Sequence, residues 1–269
     1  MYNNRLYIIE NLTSLHAGSG DANFGIIDKQ IQRDAITDYP TIHSSSLKGA
    51  LKEYCTYKHN PADGENFMAY IFGNEENSGK VRFIDAHLLS VPMRSDTNPY
   101  YNCVSPKSIE QLLEFADNFS VTVEQKEALE KLSNYKGDNI IVKEGTPVIE
   151  DTEAKTDASL DLSILEPLVG SLVALVPNRL YEELLKDLPV IARNQLENGE
   201  SKNLFYEEVL PRKSKLFTVI SEPTYLHHDD TKPLGNAFKR FNEYLTDNDT
   251  IHVGANASIG YGVCTFKEL

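Results

Sequence analysis

Tryptophan is absent from this chain, and cysteine and methionine occur only three times each. The thiols Cys55, Cys103 and Cys264 are widely spaced, odd in number and nowhere paired as CxxC, which excludes a disulfide framework and a structural zinc site. Long apolar runs are missing too. The longest, Val169 to Val176, contains Gly170 and Ser171 and falls far short of the roughly 20 residues of a membrane span. The amino terminus, Met1-Tyr2-Asn3-Asn4-Arg5, leads into only four apolar residues before Glu10, so it lacks the apolar core of a secretory signal. A cytoplasmic protein with reduced thiols and no membrane partner is expected. Glycine and proline, 15 and 12 of 269 residues, are too few for a collagenous or low-complexity chain. No GxSxG or HExxH pattern occurs, which leaves acyl transfer and zinc proteolysis without support.

Charge is plentiful but one-sided: 40 acids against 26 bases, a net of −14. A polyanion partner normally leaves a basic footprint, so the average argues against nucleic acid. The distribution changes that reading. Glu110 to Asp161 holds 13 acids and 5 bases, more than half of the whole excess in a fifth of the chain. Outside it, groups such as Lys48-Lys52-Lys58 and Arg212-Lys213-Lys215 remain free to face an anion.

Periodicity predicts strands at Leu6–Ile9, Phe24–Ile27, Gln30–Gln32, Lys80–Val91, Ser171–Val176, Leu216–Ile220, Thr250–Val253 and Gly262–Phe266. Leu47, Ala50, Leu51, Tyr54 and Cys55 form one apolar helical stripe behind Ser44-Ser45-Ser46, whose hydroxyls are expected to cap it. Further helices are predicted at Glu65–Phe72, Ser105–Phe115, Gln125–Leu132, Asn178–Leu188 and Asn236–Leu245. Glu197-Asn198-Gly199-Glu200 between two extended runs predicts a β-hairpin over 190–210. The expected fold is α+β with an antiparallel sheet, a single domain whose core is 1–105 and 162–269, interrupted by an acidic, mainly helical insertion at 106–161.

Four stretches carry candidate chemistry. His16-Ala17-Gly18-Ser19-Gly20-Asp21 has glycines that let main-chain N–H groups approach a ligand, and serves equally as a strand-connecting turn. Asp28 follows among Ile26, Ile27 and Ile31, an isolated acid suited to hold a divalent ion, to move a proton or to cap a turn. Ser44-Ser45-Ser46-Leu47-Lys48 opens a helix with more hydroxyls than a cap requires, a pattern that favours a phosphate. Gly254-Ala255-Asn256-Ala257-Ser258-Ile259-Gly260 is a second small-residue loop suited to close backbone approach. His227-His228-Asp229-Asp230 has metal-ligand types but reads as a solvated loop, because adjacent positions rarely converge on one ion.

Taken together, His16-x-Gly18-Ser19-Gly20, Gly25-Ile26-Ile27-Asp28-x-x-Ile31-Gln32-Arg33-Asp34 and Tyr39-Pro40-x-Ile42-x-x-Ser45-Ser46-Leu47-Lys48-Gly49 resemble the amino-terminal signature of RAMP proteins, in particular the backbone subunits of type III-B CRISPR (Cmr) effector complexes. Ile71-Phe72-Gly73, Phe83-x-Asp85-Ala86, Pro92-x-Arg94-Ser95, Val104-Ser105-Pro106 and Leu204-Phe205-Tyr206-Glu207-Glu208 follow in the family's order. The resemblance implies a ferredoxin-like (RRM-like) core, copies stacked as a helical filament along a CRISPR RNA, and a hairpin thumb wedged between guide and target. It implies an endoribonuclease in which Asp28, with a divalent metal ion expected to be Mg2+, cuts single-stranded target RNA by attack of the neighbouring 2′-hydroxyl. It assigns RNA contacts to His16, Gly18, Ser19, Gly20, Arg33, Ser44, Ser45, Ser46, Lys48, Arg193, Gly254 and Asn256, and other effector subunits, including a small helical one, as partners. The alternative it leaves is a non-catalytic RNA scaffold of the same or a type III-A complex. Ala257 stands where an acid is often found in the family.

Overall fold

Apolar side chains occupy both faces of the first strand, Tyr7 and Ile9 on one side and Leu6 and Ile8 on the other, which calls for cover on both. The structure, a computed structural model, describes residues 2–20, 27–60, 66–224, 236–247 and 249–269. The chain runs β1 (Tyr2–Asn11), β2 (Thr41–Ile42), α1 (Ser44–Lys58), α2 (Phe67–Phe72), β3 (Arg82–Phe83), β4 (Ala86–Met93), β5 (Tyr101–Val104), α3 (Pro106–Asn118) and α4 (Lys126–Ser133). It continues β6 (Ile141–Val142), β7 (Val148–Ile149), β8 (Thr152–Glu153), β9 (Lys155–Thr156), α5 (Glu166–Val169), β10 (Val173–Leu175), α6 (Asn178–Leu184), β11 (Val190–Glu197) and β12 (Glu200–Glu208). It ends with β13 (Lys215–Pro223), α7 (Ala237–Thr246), β14 (Ile251–His252) and β15 (Val263–Glu268).

Four long strands set the architecture. They lie side by side as β15-β1-β13-β4, each pair antiparallel. With α1 between β1 and β4 and α7 between β13 and β15, this is the βαββαβ connectivity of a ferredoxin-like fold. Leu47, Leu51 and Cys55 of α1 and Phe241 and Leu245 of α7 cover Tyr7, Ile9, Leu216 and Ile220 on one face. On the other, Ile109, Leu112, Leu129 and Leu132 of α3 and α4 cover Leu6, Ile8, Phe217 and Val219. The sheet is thus enclosed between two helical layers, as its two-sided apolar strands require.

The acidic section is not helical throughout. Its β6 and β9 extend the sheet beyond β4 in the order β5-β10-β6-β9, and β7 pairs with β8. Ser105 caps α3 as expected, its side chain accepting from Ser108 N–H with proline at the first position. Asn178 does not cap its own helix; its Oδ1 accepts from Lys107 N–H at 2.9 Å and secures the start of α3 instead. The hairpin is present, with Asn198 at φ 52° and Gly199 at φ 85° making the two-residue turn, and β11 and β12 form a separate two-stranded sheet. Among the described residues no helix is long and apolar enough to cross a membrane. Of the extended piece expected at Phe24–Ile27 all but Ile27 lies outside the described residues, as does the His227–Asp230 loop.

Candidate nucleic-acid interface

The segments on either side of the 21–26 stretch pair with each other and with the root of the hairpin. Ser19 N–H donates to Gln30 C=O at 3.0 Å and Gln32 N–H to Ala17 C=O at 2.7 Å, so residues 17–19 and 30–32 form a short irregular ladder in place of the strand expected at Gln30–Gln32. Lys29 then bridges to Glu207 in parallel, its N–H donating to Tyr206 C=O at 3.1 Å and its C=O accepting from Glu208 N–H at 2.9 Å. Asp28 is exposed at this junction, and its Oδ2 accepts from Tyr206 N–H at 2.8 Å. Gly18, Ser19, Gly20, Asp28, Lys29 and Ala255 line one open concavity. Lys29 Nζ lies 4.3 Å from the centre of the Phe205 ring. The structure therefore gathers the glycine loop and the isolated acid at one place, on the hairpin's base.

Beneath them sits a polar network that the residue-by-residue reading of the sequence did not single out. Glu207 and Glu208 are buried, at 1% and 3% exposure, and as neighbours on a strand they point to opposite sides. Glu207 takes Arg193 Nη1 at 2.9 Å and Asn256 Nδ2 at 3.0 Å on each oxygen, with His16 Nε2 at 3.7 Å. Burial pushes its carboxyl upward, but the Arg193 and Asn256 hydrogen bonds and the nearby His16 outweigh that and hold it below the usual range. Glu208 pairs with Arg33 and accepts from Ile31 N–H at 3.1 Å, while its carbonyl meets His16 Nδ1 at 2.7 Å. His16, Arg33, Arg193 and Asn256, expected to contact RNA, are thus brought together through two glutamates. His16 is buried and both of its nitrogens face inward. Arg33 also donates to the Leu185 and Asp38 carbonyls. These side chains hold the loops in place; of the four, Arg193 also lies near aromatic rings, 5.9 Å from Phe205 and 5.7 Å from Tyr261. The signal available in sequence was the pair of adjacent acids on a strand, which need counter-charges on both sides.

The closing loop also packs against its neighbours. Gly254 has φ +87°, and a Cβ there would stand 2.5 Å from the His16 carbonyl oxygen. Ala255 N–H donates to that oxygen at 2.9 Å. The tight backbone approach expected toward a ligand is made toward the His16 main chain. Gly20, by contrast, has φ +83°, no described residue comes within 4 Å of its would-be Cβ, and it lines the concavity.

Ser44–Ser46 do not cap α1. His43 is the capping residue, and the helix start is secured from outside: Ser44 N–H donates to Asp85 Oδ1 at 2.7 Å and His43 N–H to Gln32 Oε1 at 2.7 Å. Burial raises the Asp85 carboxyl, and the Ser44 and His43 hydrogen bonds overcome this to leave it lowered. An anion arriving at the helix start meets a carboxylate already there. Ser45 is exposed, Ser46 and Lys48 are half-buried, and Lys48 makes no ion pair among the described residues.

For a metal ion, no three His, Cys, Asp or Glu side chains converge among the described residues. Asp28 offers a single exposed carboxylate with one oxygen engaged by Tyr206. That fits a hydrated magnesium-type ion shared with a substrate phosphate, and does not fit a cage built by protein alone.

The topology and this loop cluster define a ferredoxin-like α+β protein elaborated with a basal hairpin site. The chain belongs to the RAMP superfamily, whose family model matches residues 8–265. It is similar to the CRISPR system Cmr endoribonuclease Cmr4 of Pyrococcus furiosus, 26% identical over 291 aligned positions that cover 96% of this chain and 94% of that one. A shorter similarity, 34% over 88 positions covering 28% of this chain and 40% of the other, joins it to the endoribonuclease Csm3 of Streptococcus thermophilus. Among solved structures it resembles a subunit of the type III-B Cmr-beta complex bound to cognate target RNA, with TM-score 0.82 at 20% identity and 99% and 97% coverage. Oligomeric Cmr4 from Pyrococcus furiosus superposes with TM-score 0.72 at 21% identity, over 98% of each chain.

Proposed function

We propose that this chain is a backbone subunit of a type III-B CRISPR effector complex, which binds CRISPR RNA and cleaves complementary target RNA at regular intervals. The observation that carries the reading is Asp28, an exposed carboxylate joined by hydrogen bond to the hairpin strand at Tyr206 and set in a concavity with Ser19, Gly20 and Lys29. Family membership and the full-length similarity to Cmr4 support it.

In this mechanism the hairpin 190–210 acts as a thumb that separates one nucleotide from its stack, and the 2′-oxygen of the displaced ribose attacks the adjacent phosphorus while the 5′-oxygen leaves. The Tyr206 N–H fixes one oxygen of Asp28, so the other is presented toward the phosphate in a set orientation. A divalent ion, Mg2+ by its preference for one carboxylate plus phosphate oxygens, would be held by Asp28 and would neutralise charge developing on the phosphate. Gly18, Ser19, Gly20 and the Ser44–Lys48 segment lie along the guide backbone, with sequence left to base pairing. His16, Arg33, Arg193, Gly254 and Asn256 hold these loops through Glu207, Glu208 and the His16 carbonyl. Copies of the chain stack along the guide in the cytoplasm, and the acidic section 106–161 is offered to the small helical subunit.

The test is Asp28→Asn in the reconstituted complex. Assembly and guide binding are expected unchanged, with target cutting lowered about 10²-fold or more. Cutting at the normal rate in an intact assembly would remove Asp28 from the chemistry.

A further inference from the structure

Gln32 is 7% exposed and its side chain ties together three segments. Oε1 accepts from the His43 N–H at 2.7 Å, and Nε2 lies 3.0 Å from the Gly18 carbonyl oxygen and 2.9 Å from Ser46 Oγ. Its main chain is fixed as well, the N–H donating to Ala17 and the C=O accepting from Thr41 N–H at 3.0 Å. The amide cannot be turned around. A main-chain N–H only donates and a main-chain carbonyl only accepts, so the oxygen must face His43 and the nitrogen must face Gly18. Ser46 Oγ, on the nitrogen side, is therefore an acceptor toward Gln32, and its own proton has to go elsewhere. Among the described residues no acceptor takes it. Ser46 is half-buried, next to exposed Ser45 and two residues before Lys48.

We propose that Gln32 is a positioning residue: its amide locks Ser46 as an outward hydrogen-bond donor to a backbone phosphate oxygen of the guide RNA. This rests on the RNA-binding reading above and deepens it. The argument comes from which groups can donate, not from the helix end, which Asp85 already occupies. Gln32→Glu is the informative change. A carboxylate still accepts from His43, but on the other side it can only accept from Ser46, which turns the hydroxyl inward, and it faces the Gly18 carbonyl without a proton to give.

Affinity of the full chain for a fluorescently labelled single-stranded RNA tests this, with thermal melting measured alongside. Loss of one charge-assisted hydrogen bond predicts that Ser46→Ala binds about tenfold more weakly and Ser46→Thr near normally. Gln32→Glu is expected to weaken binding at least as much, and Ser46→Ala placed on top of Gln32→Glu to weaken it no further. A Gln32 that only supports the fold would lower the melting temperature and leave Ser46→Ala without effect. Normal affinity of Ser46→Ala, or additive losses in the double variant, overturns the proposal; if Gln32→Glu fails to fold, the contrast between Ser46→Ala and Ser46→Thr decides it. Failure of the unsubstituted chain to bind RNA would overturn the functional reading itself.

Discussion

Gly254 shows how much of the site is built by single residues touching main chain. With φ at +87° and the His16 carbonyl 2.5 Å from where a Cβ would sit, alanine there is strained twice, by backbone and by contact. Gly254→Ala is expected to destabilise the chain by about 1–3 kcal/mol, read as a lower urea midpoint at constant slope. It is also expected to loosen the Asn256 hold on Glu207 that the same loop supplies. An unchanged midpoint would mean that the loop has another conformation open to it. The buried pair Glu207 and Glu208 belongs to the same scale. Each has a cation on its own side of the strand, Arg193 for one and Arg33 for the other.

Among the elements, what the sequence disclosed was local and what it withheld was long-range. The stripe Leu47, Leu51 and Cys55 marked α1 because its period matches a helix packed on one face, and those three residues are fully buried. Ser105-Pro106 and Asn198-Gly199 were legible because a cap and a tight turn are settled within four residues. The cap of α1 was not, since Asp85 reaches it from 41 residues further along the chain. Two-residue strands such as β6 and β9 have too short a pattern to register and exist because a sheet edge was available to them. In the candidate site, the glycine loop and Asp28 were visible as chemistry out of context. Glu207 and Glu208 appeared only as part of a family motif. The hairpin is the element with its own prediction. Deleting residues 196–202 removes the turn and leaves the strand ends that hold Asp28 and Lys29, so guide binding is expected to persist while cuts at regular spacing disappear. Normal spacing after the deletion would place the wedge elsewhere. The readout is the length distribution of target fragments on a sequencing gel.

On the scale of the whole molecule, pH bears on stability through His87. Burial lowers its imidazole pKa, against the opposing pull of Asp34 and Asp85, and Gln111 Nε2 lies 3.0 Å from Nδ1. The ring stands 4.8 Å from Phe115, where α3 closes over the sheet. An unfolded histidine takes up its proton near pH 6.5, whereas the folded one resists until lower pH. The stability due to the neutral ring is therefore whole above about pH 6.5 and drains away as pH falls from there toward the folded value. Asp34, Asp85 and Glu207, all held low, give way only below the ordinary carboxylate range, so their losses fall in a separate, more acid window. Melting temperature is expected to drop between pH 7 and pH 5, and His87→Gln to flatten that drop; an equal drop in the variant would assign it to other groups.

The hydrogen bond from Tyr206 to Asp28 has one more consequence. A ruler and a blade made as one piece cannot drift apart. If, as proposed, the hairpin sets where along the target a nucleotide is forced out and Asp28 acts on the adjacent phosphate, the carboxylate travels with the hairpin, and the distance from displaced base to severed bond is constant for every copy in the proposed stack. Lengthening the hairpin at its turn would change how far it reaches without moving the cut relative to its root, so the interval between successive breaks would report only the rise from one copy to the next.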